Sequence, residues 1–464
     1  MQVNTKLSPL TRGAVMLIAL ALTAASTAQS VNITPLQSIQ ATINSGLYDE
    51  IVLGPGTYFQ TVEFFGAAIT LRSTDPTDPA VVAATIIDGQ FLGDSVIRCT
   101  AGEGPDTIID GLTIINGEAL NVGSSDRGGG LYINLASPTV RNCVFDSNVT
   151  TGAGGGLYAN GSSSTITNCS FLGNDANIGG GIYLNQSSSI QVVGCTFDGN
   201  SSNIDGGGAN CVNGSVDFAD CTFSNNTCGR GGGGINATGL ILTVERTAFL
   251  ANDAVSWGGG VLTWLGGTTE YRNCTFISNI SSNLGGAIYT NTTTDIVNCS
   301  ITLNLAASGS ASVFTNGFGI ETNIVSSILW NNSLDTPTGN GIFQATYNII
   351  GGGYVGAGNL DVDPLFADAV GGDLSLLPGS PAIDAGYTPA IIGQYPVDYL
   401  GQVRAVDDPD TPDTGIAALG MSVDMGAFEL QAVPTPVCQG DVDGSGMVNV
   451  TDLLALLAGW GSCP

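Results

Sequence analysis

Apolar and polar positions alternate in short runs along the middle of the chain, and the runs recur in a fixed order. Two stretches, from Gly154 and from Gly179, read GGGLYANGSSSTITNCSFLGN and GGGIYLNQSSSIQVVGCTFDGN. Each contains a glycine run, an apolar–aromatic pair, a Ser-rich turn, an alternating segment and Cys-x-Phe-x-x-Asn. Alternation of this kind is typical of β-strands, and no helical period of about 3.6 replaces it. The pattern predicts short strands joined by tight corners.

The Phe-x-x-Asn element recurs at steps of 26, 26, 26, 26, 27 and 25 residues, and isoleucine replaces phenylalanine in the last copy. Cysteines and glycine runs keep the same step, with Thr247 in place of one cysteine. A period of this length without helices indicates a solenoid whose coils stabilise one another. We therefore predict a right-handed parallel β-helix with little helix before residue 440. The repeated pairs are Phe145/Asn148, Phe171/Asn174, Phe197/Asn200, Phe223/Asn226, Phe249/Asn252, Phe276/Asn279 and Ile301/Asn304.

The repeat GG[AGI]-[LI]-Y … C-x-F-x-x-N resembles that of polymorphic outer-membrane-protein repeats and of pectate-lyase-like β-helix proteins, from about Ile51 to Gly353. The resemblance implies an all-β fold, with the parallel β-helix over 29–353. Residues 354–430 resemble the segment that closes many secreted bacterial β-helix proteins, which predicts a cap over the last coil. Asp88 and Asp110, each followed by glycine in an Ile-Asp-Gly sequence, are interpreted as corner residues.

The corner residues follow from backbone conformation. Glycine adopts positive φ without strain, and asparagine tolerates the left-handed region better than most residues. The regularly spaced cysteines lie on the same inward side as the phenylalanines, which favours buried thiols. Neighbouring cysteines of a secreted protein can also oxidise to disulfides. The pairing of the additional Cys211 and Cys228 is left open.

Alternation also predicts an outward face of aromatic and amide side chains. Rungs about 4.8 Å apart allow two interpretations, in which like residues stack on one another or the ladder binds sugar rings. The aromatic members are Tyr132, Tyr158, Tyr183, Trp264 and Tyr289, and the amides are Asn134, Asn160, Asn185 and Asn291.

The first 28 residues differ in composition from the rest. Lys6 and Arg12 precede the apolar run 14–25, which is followed by Ser26, Thr27 and Ala28. This order is typical of a secretory signal peptide cleaved after Ala28, and the run is short for a membrane span. We expect a secreted or cell-surface protein without an integral membrane segment after cleavage.

Removing the two cations of that peptide changes the formal charge from −29 to −31 and leaves eight arginines, no lysine and no histidine. Such a chain is a poor partner for nucleic acid or anionic lipid. It suits neutral glycans and divalent cations. The missing histidine and lysine also exclude Ser-His triads and lysine-based lyases.

One charged cluster interrupts the neutral repeats. Aligning the copies places Asp220 and Arg246 in one column, and Glu245 and Arg272 in the next. Some β-helix lyases use an arginine as a base, so these four residues are weak catalytic candidates. The other interpretation is two ion pairs between coils, which contribute little when exposed.

A separate module is predicted at 438–464, after a linker at 431–437. Its sequence Asp441-Val-Asp-Gly-Ser-Gly-Met-Val-Asn-Val-Thr-Asp452 fits an EF-hand-type loop, with glycine at position 6 and a helix from Leu453. We expect one Ca²⁺ ion there. The predicted ligands are Asp441, Asp443, Ser445, Met447 through its carbonyl, Asn449 and Asp452.

Aspartate at position 12 of this loop and the Val448/Leu453/Leu454 pattern resemble a type I dockerin repeat. Dockerins normally carry two such repeats and bind cohesins. Because this chain has one repeat, it supports the prediction of bound calcium more strongly than the prediction of a cohesin or other surface-anchor partner. Cys438 and Cys463 bracket the module and are expected to form a disulfide, because so small a unit needs a covalent link.

Two classes of function fit these observations. The first is a secreted protein that binds or processes extracellular polysaccharide, as a lyase or an O-glycosyl hydrolase if it is an enzyme. The second is a non-catalytic adhesion or matrix protein of the cell surface. Fold alone does not decide between them, and no sequence motif marks a catalytic centre.

Overall fold

The computed structural model describes residues 29–120, 127–307, 310–391, 396–418, 420–431 and 450. Parallel sheets of 20, 12 and 8 strands run along one solenoid, and a two-stranded antiparallel sheet follows them. The 12-stranded sheet marks about 11 turns, so the predicted all-β solenoid is confirmed. The described helices are short: α1 Ile39–Asn44, α2 Pro79–Ala84 and a 3-10 helix at Thr388–Ala390. Among the described residues, none of the helices combines the length and apolar character that crossing a membrane requires.

The first sheet consists of two neighbouring columns of strands that fuse into long strands in four consecutive coils. The fused strands are Ile182–Val193, Ala209–Ala219, Ile235–Glu245 and Val261–Arg272. The others are Ser30–Ile33, Glu50–Leu53, Val62–Glu63, Thr70–Ser73, Ile97–Cys99, Ile108–Asp110, Leu131–Asn134, Thr139–Arg141, Leu157–Asn160, Thr165–Thr167, Ile288–Thr290, Thr293–Val297, Val313–Thr315, Glu321–Val325, Thr338–Gly339 and Ile342–Thr346.

The second and third sheets complete each coil. The second comprises Gly56–Phe59, Thr85–Asp88, Thr113–Ile115, Val144–Asp146, Ser170–Leu172, Thr196–Asp198, Thr222–Ser224, Ala248–Leu250, Thr275–Ile277, Ser300–Thr302, Ile328–Trp330 and Ile349–Ile350. The third comprises Glu118–Ala119, Val149–Thr150, Asp175–Ala176, Ser201–Ser202, Thr227–Cys228, Asp253–Ala254, Ile280–Ser281 and Leu305–Ala306. The antiparallel pair is Phe366–Asp368 and Asp373–Leu376.

The repeat register expected from the sequence holds in the core. Phe145 pairs with Phe171, Phe171 with Phe197, and the series continues to Phe276, whose strand pairs with that of Ile301. The rings stack with centroids 4.4–5.2 Å apart and are almost parallel. The described cysteines are free and buried, which confirms the preference for buried thiols.

The repeated asparagines form a buried ladder at the corner between the second and third sheets. Asn200 donates from Nδ2 to the carbonyl oxygen of Phe171 and to Oδ1 of Asn226, both at 2.9 Å. Its own Oδ1 accepts from the backbone N–H of Asn174 at 3.0 Å and from Asn174 Nδ2 at 2.9 Å. The same bonds recur to Asn332, where Asp335 accepts the last amide at 2.7 Å. Each amide is thus fully hydrogen-bonded without water.

The reason given from the sequence for this asparagine column is wrong. The residue before each asparagine adopts the left-handed conformation, as at Ser147 with φ 55° and Gly173 with φ 57°. The asparagines themselves are selected because one amide can satisfy the backbone of two coils. The prediction for the glycine runs is confirmed at their first residue, since Gly154 has φ 74°. A Cβ on the next residue, Gly155, would lie 2.5 Å from a carbonyl oxygen of the following coil.

The segment predicted as a cap, 354–430, contacts both the end and the flank of the solenoid. Residues 351–360 cover that end, where Asn359 donates to the carbonyl of Ala345 at 2.9 Å. The rest returns along the flank of the solenoid. Asn298 Nδ2 donates to the carbonyl of Asp424 at 2.9 Å, and Ala427 N–H donates to Ser300 Oγ at 3.0 Å. We call residues 361–431 the flank segment.

An ionic network without solvent exposure holds the flank segment together. Arg404 pairs with Glu429 at 3.3 Å, with both side chains 0% exposed, and donates to the carbonyl of Ala427 at 2.7 Å. Glu429 also accepts backbone N–H groups of Ala405, Val406 and Asp424. Burial raises the pKa of Glu429, and Arg404 opposes that shift. Because the charges have left water, each depends on its partners.

Replacing one asparagine of the ladder tests its contribution. Asn200→Ala leaves the N–H of Asn174 and the Oδ1 of Asn226 without their partner, and we expect it to lower the free energy of unfolding by about 1–3 kcal/mol. Equilibrium urea unfolding measures the difference. The matched control is Asn203→Ala on the exposed surface of the same coil, which should change stability by less than about 0.5 kcal/mol. Equal effects of the two substitutions would refute the ladder's role.

Removing the cation of the flank segment tests the ionic network. Arg404→Met leaves Glu429 buried without its cation, and breaking such a pair typically costs about 3–5 kcal/mol. Urea unfolding should show that loss, together with faster proteolysis within 361–431. Arg72→Met, which removes a half-exposed pair with Glu50, is the control and should cost about 1 kcal/mol or less. If Arg404→Met is as stable as this control, the network does not stabilise the flank segment.

Candidate glycan-binding face

The first three predicted tyrosines stack on one another on the outer face of the first sheet. The ring centroids of Tyr132 and Tyr158 are 5.6 Å apart, and those of Tyr158 and Tyr183 are 5.3 Å apart. The guanidinium of Arg127 lies 5.0 Å from the Tyr158 centroid. Tyr158 is 1% exposed, so the expected open ring is absent at this position. Here the structure corresponds to mutual stacking, and burial raises the pKa of Tyr158 and Tyr183.

The tyrosine column is interrupted in the fused coils. Tyr183 pairs with Asn210, which pairs with Asn236 and then with Leu262, before Tyr289 restores an aromatic residue. Asparagine is smaller than tyrosine, so the outer face is recessed at these rungs. The predicted amides Asn134, Asn160 and Asn185 occupy a neighbouring column and bond to one another at 2.9 Å.

A second aromatic group borders the recess. Trp264 stacks against Trp257 and Tyr289, each at 6.0 Å between centroids, and Tyr289 stacks on Phe314 at 5.5 Å. Trp264 pairs with Thr238, so it continues the amide column rather than the tyrosine column. Tyr289 is 3% exposed and supports the tryptophans rather than presenting its own ring. The half-buried tryptophans are the members of this group that bound the recess.

The recess is a cavity of about 410 Å³ that we call the aromatic cleft. Asp205 is buried at 5% exposure, and the Nε of Arg230 donates to its Oδ1 at 2.7 Å. This bond raises the pKa of Arg230 further, and the guanidinium is paired with the carboxylate. The cleft is lined by Asp205, Arg230, Asn236, Thr238, Trp257, Trp264 and Leu265.

A smaller cavity of about 250 Å³ adjoins the stacked tyrosines. Its lining includes Arg127, Tyr158, Asn177, Tyr183 and Asn185. Both cavities lie where the side chains of the first sheet meet the corner that precedes the glycine runs. Apolar rings beside a few polar groups suit a ligand with apolar and hydroxylated faces, which is the chemistry of a sugar ring.

The charged cluster of the sequence forms ion pairs. Arg246 binds Asp220 through Nε at 2.6 Å and Nη2 at 2.9 Å, and it also contacts Glu245. Arg272 pairs with Glu270 of the same strand. The bond to Asp220 raises the pKa of Arg246, which opposes its use as a base. The column of Asp220 and Arg246 is therefore confirmed, and its geometry is that of a structural ion pair.

The sequence analysis missed Asp205, Arg230 and Trp257. Asp205, Gly231 and Trp257 form one column of bridges, and each immediately precedes the glycine whose φ is positive. That repeat position was visible in the sequence as the residue before each glycine run. A glycine corner alone assigns no role to this position, and Arg230 lies one residue before it.

The residues predicted to form the signal peptide and the C-terminal module lie outside the described residues, apart from Val450. This applies to the calcium loop Asp441–Asp452, to Cys438 and Cys463, and to the signal peptide. They remain predictions.

Comparisons with known proteins agree with the strand pairing. Residues 100–240 match the family described as right handed beta helix region, and 273–291 match the Chlamydia polymorphic membrane protein repeat. The structure is similar to pectate lyase Pel9A, with 13% identity, a TM-score of 0.45 and coverage of 87% of this chain and 97% of that chain. It is also similar to the catalytic domain of a GH87 alpha-1,3-glucanase in complex with nigerose, with 11% identity, a TM-score of 0.38 and coverage of 68% and 67%. No curated protein matches. The strand pairing and the family match at 100–240 together show that the chain contains a right-handed parallel β-helix.

Proposed function

We propose that the chain is a secreted protein that binds a neutral extracellular polysaccharide in the aromatic cleft. The observation that carries the proposal is the position of Trp257 and Trp264 beside a cavity that also presents Asp205, Arg230 and Asn236. Indole rings stack on the apolar faces of sugars, while carboxylate, guanidinium and amide groups bond to hydroxyls.

Charge supports a neutral ligand over an anionic one. The chain without its signal peptide has a formal charge of −31, which repels polyanions over several ångströms at physiological salt. In the aromatic cleft the single guanidinium of Arg230 is already paired with Asp205. An acidic polysaccharide would therefore meet no uncompensated cation there.

The same residues favour binding over hydrolysis or elimination. A glycosidase commonly needs two carboxyl groups about 5–9 Å apart on either side of the scissile bond. Among the described lining residues of the aromatic cleft, Asp205 is the only carboxylate, and it is bound to Arg230. We infer that the protein holds its polysaccharide without cleaving it, which suits an adhesion or matrix role as well as a binding step in polysaccharide breakdown.

Truncating one tryptophan tests the aromatic cleft. Trp264→Ala removes one ring from the cavity, and loss of a stacking partner worth about 0.5–1.5 kcal/mol beyond burial should weaken polysaccharide binding by roughly tenfold or more. Affinity electrophoresis and calorimetry against glycans selected on an array measure the change. Phe59→Ala is the control, because Phe59 is an exposed aromatic residue of the second sheet in the first coils.

Two results would contradict this proposal. One is unchanged binding of Trp264→Ala while Phe59→Ala weakens it. The other is release of unsaturated or reducing products from the bound polysaccharide, with loss of that activity in Arg246→Ala or Arg272→Ala. That second result would identify a lyase or hydrolase with its centre at the charged cluster.

We further propose that the C-terminal module binds one Ca²⁺ ion through Asp441, Asp443, Ser445, Met447, Asn449 and Asp452. Three carboxylates at loop positions 1, 3 and 12 repel one another until a hard cation neutralises them. A single dockerin-like repeat presents to a cohesin only half of the surface that two repeats provide. We therefore expect weak cohesin binding at most.

Removing the first ligand tests this loop. Asp441→Ala in the full chain should lower the number of bound Ca²⁺ ions by one, because the carboxylate at position 1 anchors the loop. Equilibrium dialysis with metal analysis gives the stoichiometry. Gln439→Ala, just before the loop, is the control and should leave the number unchanged. Equal stoichiometry in the Asp441 variant and the wild type would disprove the loop as a calcium site.

A further inference from the structure

Three carboxylates converge in the flank segment, far along the chain from the predicted calcium loop. One carboxylate oxygen each of Asp384, Asp407 and Asp413 lie within 4.8 Å of one another. Asp384 is buried, and the other two are exposed. Carboxylates at such distances repel one another unless a proton or a cation lies between them.

Asp384 is also incompletely hydrogen-bonded. Its Oδ2 accepts the backbone N–H of Asp408 at 3.1 Å. Its Oδ1 has no hydrogen-bond donor among the residues that the structure describes, although Asp384 is 0% exposed. A buried polar atom without a partner is costly, and a buried charge more so. Burial and the charges of Asp407, Asp413 and Asp408 raise the pKa of Asp384 to about 6.

The arginines that the structure describes do not pair with this cluster of carboxylates. Arg404 is the only arginine or lysine after Arg272, and its guanidinium bonds to Glu429 and to the carbonyl of Ala427. Among the described residues, none of the ion pairs includes Asp384, Asp407 or Asp413. The cluster thus brings three carboxyl groups together, and one oxygen of Asp384 lacks a donor among the described residues.

We propose that Asp384, Asp407 and Asp413 bind a Ca²⁺ ion that joins two parts of the flank segment beside its contact with the solenoid. Oxygens are the ligands calcium prefers, at about 2.3–2.6 Å, so two of its ligands can be up to about 5 Å apart. Mg²⁺ binds oxygen at about 2.0–2.1 Å and requires nearly octahedral geometry, which loop carboxylates at these separations suit less well. The exposed side of Asp407 and Asp413 leaves room for waters to complete the coordination.

The surrounding hydrogen bonds show what the ion would fasten. The N–H groups of Thr414 and Gly415 donate to the carbonyl of Asp384, and the N–H of Asp384 donates to Oδ1 of Asp424 at 2.9 Å. Three residues further on, the N–H of Tyr387 donates to Ser326 Oγ of the solenoid at 2.7 Å. An ion at Asp384 therefore joins the loop containing Asp407 and Asp413 to the turn that leads to Tyr387 and its contact with the solenoid.

The experiment uses the full chain carrying Asp441→Ala, so that the predicted C-terminal loop does not contribute. In that background, Asp407→Asn and Asp413→Asn together should remove one bound Ca²⁺ ion in equilibrium dialysis, or lower its affinity at least tenfold. Both residues are exposed, so the double variant should fold, which its circular dichroism in chelator checks. Asp410→Asn, an exposed aspartate of the same loop, is the matched control and should retain the ion.

A second measurement separates this site from an adventitious surface ion. Ca²⁺ should slow proteolysis within 361–431 in the Asp441→Ala chain and in the Asp410→Asn control, but not in the Asp407→Asn/Asp413→Asn variant. The proposal is overturned if the double variant binds as many ions as its parent, or if Ca²⁺ protects all of these chains equally. Displacement of Ca²⁺ by an equal concentration of Mg²⁺ would overturn the assignment of calcium.

Discussion

The structure depends on satisfying the backbone at one buried corner of every coil. A parallel β-helix turns its chain inward between the second and third sheets, where water cannot reach the peptide groups. In the coils from 148 to 332 one asparagine supplies both donors and both acceptors for this corner. Because each amide must meet the next, the corner fixes the register of neighbouring coils. The stacked phenylalanines three residues earlier and the thiols beyond them then follow the same register.

The outer face of the first sheet is less constrained, and this is where the coils differ. Tyrosines there can stack but need not, since the corner ladder already holds the register. Asn210 and Asn236 replace two of them, and Trp264 shifts the aromatic residues to the neighbouring column. The aromatic cleft is the resulting space. A regular ladder of tyrosines would have closed it, as at Tyr158, where the neighbouring rings and Arg127 leave almost no exposed surface.

The sequence predicted the solenoid, its period and the buried thiols, because each is a consequence of residues repeated at one spacing. It also predicted the column of Asp220 and Arg246. The aromatic cleft was only partly predictable. Trp264 was recognised as outward-facing, but Trp257 and Arg230 come from a different part of the repeat. Whether these two residues come close to Trp264 depends on how the corner before the glycine run folds against the fused strands. Side-chain alternation along a strand does not specify that geometry. The residues of the flank segment that contact Asn298 and Ser300 lie more than 120 residues away from them in sequence. These contacts follow no period.

Asp384 differs from the other buried acids of the flank segment in its hydrogen bonds. Asp398, Asp424 and Glu429 are buried too, yet each has backbone N–H donors on both carboxylate oxygens. Such bonds satisfy both oxygens of each carboxyl group, and Arg404 also pairs with Glu429. Asp384 has one oxygen without such a donor, and that oxygen belongs to the carboxylate facing Asp407 and Asp413. Peptide groups thus complete the hydrogen bonding of three acids, whereas one oxygen of the fourth has no donor among the described residues.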